Sequence, residues 1–137
     1  MAVIEDLETI MAILKEAKTI AVVGISPKPE RASYYVSEWT LQRGLHRVYF
    51  VNPVYAGRKI LGLEVLPSLE SVPEPIDIVD VFRRPDALEE VVKDALKVGA
   101  KYVWLQPGTE NEEVIQKYKD RIDFIKTACL GVVVKSL

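Results

Sequence analysis

The sequence has few of the residues on which metal and disulfide chemistry depend. Its 137 residues include one cysteine, Cys129, and one histidine, His46. A single cysteine excludes an internal disulfide and a zinc site built from cysteines, so we expect no metal site. We expect Cys129 to be a small buried hydrophobe, because no base or cation stands near it in the sequence. His46 precedes a predicted strand, which places it at the amino-terminal edge of a sheet.

The sequence also lacks an excess of basic residues and long apolar runs. Its net charge is −2, which argues against a nucleic-acid partner. No apolar run approaches the ~20 residues that span a bilayer, so no membrane partner is expected. The first 17 residues are amphipathic and carry several acids, unlike a signal peptide. We therefore expect a cytoplasmic protein that forms a single domain over residues 1–137.

Short apolar runs alternate with helical periodicity along the chain. Apolar spacing predicts a first helix within residues 1–17, in which Ile4 is a buried position, and further helices over 32–43, 85–98 and 111–118. Strands are predicted over 20–23, 47–51, 76–82 and 101–105, with shorter ones over 64–66 and 122–125. Residues 131–134 either extend the sheet or fold against the core. This alternation indicates a Rossmann-like, doubly wound α/β fold with a parallel sheet of five to six strands in three layers.

Four polar or Gly- and Pro-rich segments follow the predicted strands. They are Gly24–Arg31, Asn52–Tyr55, Phe82–Arg84 and Gln106–Thr109. In a parallel sheet all four lie at the carboxyl-terminal edge, where ligands of such folds bind. A glycine turn that leads into a helix offers backbone N–H groups to a phosphate, and Lys28 and Arg31 add positive charge.

A dinucleotide is disfavoured as the ligand. The first loop reads Gly-Ile-Ser-Pro-Lys-Pro from Gly24, so the second and third glycines of the G-x-G-x-x-G fingerprint are missing. The strand over 47–51 is followed by Asn52, where a dinucleotide site has an acid for the ribose hydroxyls. The two cations of the loop suit a ligand with more phosphate charge.

Five motifs in register resemble a known family. They are GISPKPERASYYV, VNP, the Leu61–Leu69 segment, VDVFRRP and WLQPGTENEE, and they span nearly the whole chain. They are similar to the small stand-alone CoA-binding proteins, which in turn resemble the CoA-binding domain of the succinyl-CoA synthetase α subunit. The resemblance implies coenzyme A, or an acyl-CoA, bound along the edge of the sheet. Near Cys129 the chain departs from the family, because Thr127 and Ala128 stand where relatives have Asp-Arg.

The resemblance also implies which residues form the site. In the first loop it assigns the phosphates to Gly24, Ile25, Ser26, Pro27, Lys28 and Arg31. It places Asn52, Pro53 and Tyr55 at the nucleotide, Val81, Phe82 and Arg83 beside the adenine or the pantetheine arm, and Gln106 as a further contact.

We expect binding without catalysis, and no catalytic residues. Asp77 and Asp80 invite an acid–base role, but a structural one is favoured, with Asp80 paired to an arginine or a backbone donor. Two alternatives stay open. One is the CoA-binding component of a split acyl-CoA synthetase whose other domains lie on a second chain, and a weaker one is an NAD(H)-binding sensor. The sequence leaves a protein partner and a homo-oligomer open.

Overall fold

The structure, a computed structural model, describes residues 3–137. Its strands form one eight-stranded sheet in the order β1-β8-β7-β6-β2-β3-β5-β4. The pairs are parallel, except for the antiparallel pair of β4 with β5. The strands are β1 (Val3–Ile4), β2 (Thr19–Val23), β3 (Arg47–Val51), β4 (Lys59–Ile60), β5 (Leu63–Leu66), β6 (Ile78–Val81), β7 (Tyr102–Leu105) and β8 (Asp123–Ile125).

Helices cover both faces of the sheet and complete three layers. They are α1 (Leu7–Glu16), α2 (Ala32–Arg43), α3 (Leu88–Lys97), α4 (Glu112–Tyr118) and α5 (Leu130–Lys135). Apolar residues of α3 and α4 share one core cluster, and those of α1, α2 and α5 share the other. The predicted Rossmann-like α/β architecture is thereby confirmed. Within residues 3–137, no helix combines the length and the apolar character needed to cross a bilayer.

The centre of the sheet follows directly from the apolar runs. Every residue of β2 and of β6 is buried, as expected for strands covered by helices on both faces. β2 pairs with β3 on one side and with β6 on the other. The chain therefore reverses its direction of winding beside β2, and this fixes where the sheet can open into a ligand site.

The ends of the chain differ from the sequence prediction. Ile4 lies in β1 beside Ile125 of β8 and not in the first helix, which begins after Asp6. The Asp6 carboxylate caps α1 by accepting from the Thr9 N–H at 3.0 Å. Residues 131–134 belong to α5, so the extended alternative for them is wrong. With β1 and the hairpin strand β4, the sheet has two strands more than the upper prediction.

Candidate functional site

A groove opens where β2, β3 and β6 end, at the reversal of strand order. Its volume is about 380 Å³, within the usual ~300–1,000 Å³ of small-molecule sites. The last residues of β2 and β3 supply part of its wall, and the loops that follow all three strands supply the rest. The lining residues are Val23, Gly24, Arg31, Val51, Asn52, Pro53, Val54, Phe82, Arg83 and Arg84.

Gly24 allows the first loop to leave β2 in direct contact with the neighbouring backbone. Its φ is +96°, and a Cβ there would lie 2.7 Å from the Phe82 carbonyl oxygen. The Gly24 N–H donates to the Val51 carbonyl at 3.0 Å, and the Phe82 N–H donates to the Val23 carbonyl at 2.9 Å. A side chain at this position would push the two walls of the groove apart.

Hydrogen bonds within the chain hold the rest of the first loop. The Ile25 side chain is fully buried in the core beneath it. The Ser26 N–H donates to the Ser33 hydroxyl at 2.9 Å, and the Ser26 hydroxyl accepts from the Lys28 N–H at 3.1 Å. Ser33 was not among the predicted site residues. Its position gives a clue to this role, because a serine in the first turn of a helix commonly bonds to nearby backbone.

Asn52 connects the loops that follow β2 and β3. Its side-chain nitrogen donates to the Ile25 carbonyl at 2.9 Å, and its side-chain oxygen accepts from the Val54 N–H at 3.0 Å. Its backbone N–H donates to the Leu66 carbonyl at the end of β5. Asn52 thus joins three neighbouring backbone segments while it lines the groove.

The groove favours anions. Arg31, Arg83 and Arg84 are three of its ten lining residues, and among those described residues none is acidic. Arg31 also immediately precedes α2, whose first turn has no side-chain cap, so backbone N–H groups remain free at that end. Arg84 forms a weak ion pair with Asp86 at 3.7 Å, and both side chains are largely exposed. These features combine positive charge with backbone donors at one site.

Several predicted residues lie beside the groove without lining it. Val81 and Ile25 have fully buried side chains and act as core residues. Ser26, Pro27 and Lys28 belong to the bordering loop, and Lys28 is exposed. Tyr55 packs against the core, with the Arg58 guanidinium 5.8 Å from its ring. Four lining residues were not among the predicted site residues: Val54 and Arg84, which lie within the predicted edge segments, and Val23 and Val51, which end β2 and β3.

Gln106 lies at the same edge, but its side chain bonds to the start of α5 and does not line the groove. It is 4% exposed, and its side-chain oxygen accepts from the Leu130 N–H at 2.9 Å, at the start of α5. Its side-chain nitrogen lies 3.5 Å from Cys129 Sγ. The Cys129 side chain is half-buried, so it is more exposed than the buried hydrophobe that the sequence predicted.

The remaining ionisable candidates lie away from the groove. Burial raises the pKa of Asp80 well above its ordinary value, and neither of its carboxyl oxygens has a hydrogen-bond partner. The predicted pairing of Asp80 with an arginine or a backbone donor is therefore wrong. Burial would raise the pKa of Asp77, but the Lys18 and Thr19 N–H groups and Lys101 lower it on balance. His46 precedes β3 at the opposite edge and lies 2.7 Å from the Leu14 carbonyl through Nε2.

That opposite edge has a smaller cavity of about 120 Å³, lined in part by Asp77, Lys101 and Tyr102. This volume is below the usual range for a small-molecule site. Within residues 3–137, no three histidine, cysteine, aspartate or glutamate side chains are arranged to hold a metal ion. The groove beside β2 is the candidate site because it lies at the reversal of strand order and three of its lining residues are arginines.

Fold and groove together define a Rossmann-like protein with an anion-favouring site at the reversal of strand order. Residues 18–135 match the model of the CoA binding domain family, and the chain belongs to that family.

Relatives agree with this assignment. The chain is 39% identical over 112 residues to the Bacillus subtilis protein YneT, a match that covers 82% of this chain and 81% of YneT. A structure from Thermus thermophilus, cell-free ID.343, superposes with a TM-score of 0.86 at 36% identity, over 96% of this chain and 98% of that one. The dinucleotide-forming acetyl-coenzyme A synthetase 1 of Ca. Korarchaeum cryptofilum matches with a TM-score of 0.69 at 26% identity. That match covers 88% of this chain and 27% of the synthetase.

Proposed function

We propose that the protein binds coenzyme A or an acyl-CoA in the groove beside β2 and does not itself catalyse a reaction. The observation that carries this proposal is the placement of Arg31, Arg83 and Arg84 around one groove whose described lining has no acid. Coenzyme A carries phosphates at two positions of its nucleotide half, and arginine is well suited to bind phosphate oxygens.

The same groove is poorly suited to NAD. Ser26 and Pro29 occupy the positions of the second and third glycines of a dinucleotide site, and the second of these lets the backbone approach the pyrophosphate. Asn52 follows β3, and its amide carries no negative charge for the ribose hydroxyls. We therefore propose that CoA binds more tightly than NAD or NADP.

The absence of catalysis is supported by the chemistry of the lining. Among the described lining residues there is no carboxylate, histidine, cysteine or lysine that could serve as acid, base or nucleophile. His46 lies at the far edge of the sheet, with Nε2 against a backbone carbonyl. The groove can hold a ligand by charge and shape, which fits storage, regulation or delivery to a partner.

Titration calorimetry tests the proposal with CoA, acetyl-CoA, NAD and NADP. Arg31→Ala and Arg83→Ala should each weaken CoA binding by about 1–3 kcal/mol, as for charge-assisted hydrogen bonds. The loss should shrink at high salt, because salt screens exposed charges. Lys28→Ala should lose less, since Lys28 borders the groove without lining it.

Arg121→Ala is the matched control. It removes an exposed arginine that precedes β8, at the opposite edge of the sheet, and should leave CoA affinity unchanged. NAD affinity equal to or above that for CoA would overturn the ligand assignment. Equal losses in Arg31→Ala and Arg121→Ala would show that the groove is not the site.

A second candidate function is supported by the synthetase match. A chain that corresponds to 27% of an acetyl-coenzyme A synthetase could be the CoA-binding component of a split enzyme. Even so, the isolated protein should form no acyl-CoA from ATP or GTP, CoA and short carboxylic acids. Transfer of labelled phosphate from nucleotide to His46 would contradict this expectation and favour the enzyme component.

A further inference from the structure

We propose that Asn52 is a positioning residue, which holds the first loop in its binding geometry and does not contact the ligand through its amide. This inference rests on the proposed function, because it assigns a role within the same groove. The geometry behind it is a side-chain bridge between two loops that start from neighbouring strands.

The bridge uses both ends of the amide. On one side Nδ2 donates to the carbonyl of Ile25, 27 residues away in the chain. On the other side Oδ1 accepts from the Val54 N–H, at the start of the short helical turn over Pro53–Tyr55. The backbone of Asn52 is fixed as well, because its N–H donates to Leu66 and its carbonyl accepts from Tyr55.

These bonds bear on the groove because of what they join. Ile25 directly follows Gly24, and its buried side chain anchors the base of the first loop. Pro53 and Val54 form the facing part of the lining. A bridge between Ile25 and Val54 therefore sets the distance between the loop after β2, which carries Arg31, and the loop after β3.

The chemistry of the bridge requires an amide. It needs one donor for a carbonyl and one acceptor for an N–H, which asparagine supplies from opposite ends of one short side chain. An aspartate keeps the acceptor, but its carboxylate cannot donate to Ile25. A leucine of similar size supplies neither group. Loss of the donor leaves the carbonyl of the buried residue Ile25 without this partner, so the first loop loses its hydrogen bond to the loop after β3.

Two variants and a control test the effect on affinity. Asn52→Leu should weaken CoA binding by about tenfold, the equivalent of one bridging hydrogen bond, and Asn52→Asp should weaken it by at least as much. Asn111→Asp is the matched control, because Asn111 makes the same two kinds of bond at the start of α4, with Val114 and Pro85. Asn111 and Pro85 lie outside the groove lining, so this variant should stay within about twofold of the natural protein.

Salt separates the bridge from simple charge repulsion. The aspartate variant also places a negative charge near the bound phosphates, whereas the leucine variant does not. At high salt the two losses should become equal, because repulsion is screened and the missing donor is not. A loss confined to the aspartate variant and removed by salt would overturn the bridge. Unchanged affinity in both variants would overturn it as well.

A spectroscopic measurement on the natural protein does not depend on whether the variants fold. The chain has two asparagines, so their side-chain amide signals are readily assigned by NMR. A through-hydrogen-bond coupling between Asn52 Nδ2 and the Ile25 carbonyl carbon should appear in the free protein and persist when CoA is saturating. Its absence in the free protein, or its loss on addition of CoA, would overturn the inference. If CoA does not bind at all, the proposed function fails, while the coupling in the free protein still decides whether the bridge exists.

Discussion

Asp80 should make the protein less stable as the pH rises. It lies in β6, between Val22 of β2 and Trp104 of β7, in the middle of the sheet. It is 1% exposed, and neither carboxyl oxygen has a hydrogen-bond partner. Burial alone accounts for the raised pKa, so the folded protein keeps this carboxyl protonated at pH values where the unfolded chain releases the proton.

The direction and the upper limit of the effect follow from proton linkage. Below the ordinary pKa of an aspartate, about 3.9, both states hold the proton and Asp80 does not alter the balance. Above that value the unfolded chain ionises while the folded chain does not, so ionisation favours unfolding. For one proton, the free energy of unfolding falls by at most about 1.4 kcal/mol per pH unit. The fall ends once the pH passes the raised pKa.

Urea unfolding at unit steps from pH 5 to pH 9 measures this slope. Asp80→Asn keeps the shape of the side chain but cannot ionise, so subtracting its profile removes titration by every other group. The difference should fall as the pH rises from 5, by up to about 1.4 kcal/mol per unit, and should level off once the pH passes the raised pKa. Asp120→Asn changes an exposed aspartate and should reproduce the natural profile. Parallel profiles for the natural protein and Asp80→Asn would refute the reasoning.

Three further changes have defined outcomes. Gly24→Ala should lower both thermal stability and CoA affinity. The positive φ should cost about 1–2 kcal/mol of stability, and the contact with the Phe82 carbonyl should add to that cost. A melting temperature equal to that of the natural protein would contradict the geometry. Hydrogen bonds, chiefly those from Arg47, lower the pKa of Glu74 to about 2. The ionised Glu74 therefore stabilises the fold at pH values above the ordinary pKa of a glutamate, and this stabilisation is lost as the pH falls towards 2. Glu74→Gln should therefore be less stable than the natural protein at pH 7, and the gap in denaturant unfolding should close in acid. Gly131→Ala places a Cβ 2.9 Å from side chains of α2 and should lower the free energy of unfolding in urea by about 1–3 kcal/mol. An unchanged free energy would show that α2 and α5 move apart without cost.

The parallel architecture was predictable because its signals are local. A short run of consecutive apolar residues, such as 20–23 within β2, is buried on both faces only if the strand lies between two layers, and the segments with helical spacing supply those layers. Three of the four predicted edge segments then meet at the groove, because parallel strands end on the same side. Gly24 and Arg31 could be placed at the site on these grounds alone.

The missed features depend on contacts that are distant in the chain. β1 exists because Val3 and Ile4 pair with β8, more than a hundred residues further on, and two residues give no periodicity to detect. The run of valines at 132–134 suggests a strand by its residue types, yet it is helical because α5 packs on α2 around Gly131. Gln106 was expected to face a ligand, but its oxygen accepts from the first N–H of that unpredicted helix.

The groove separates two contributions to binding that other sites combine in one residue. Its shape is set by backbone contacts at Gly24 and by the Asn52 bridge, and neither contribution depends on charge. Its attraction for phosphate is supplied by arginines on the loops. Variants of shape should therefore weaken binding by the same factor at any salt concentration, whereas variants of charge should weaken it most at low salt. A loss in Gly24→Ala that disappears at high salt would mean that the backbone N–H groups, and not the separation of the walls, are what this glycine provides.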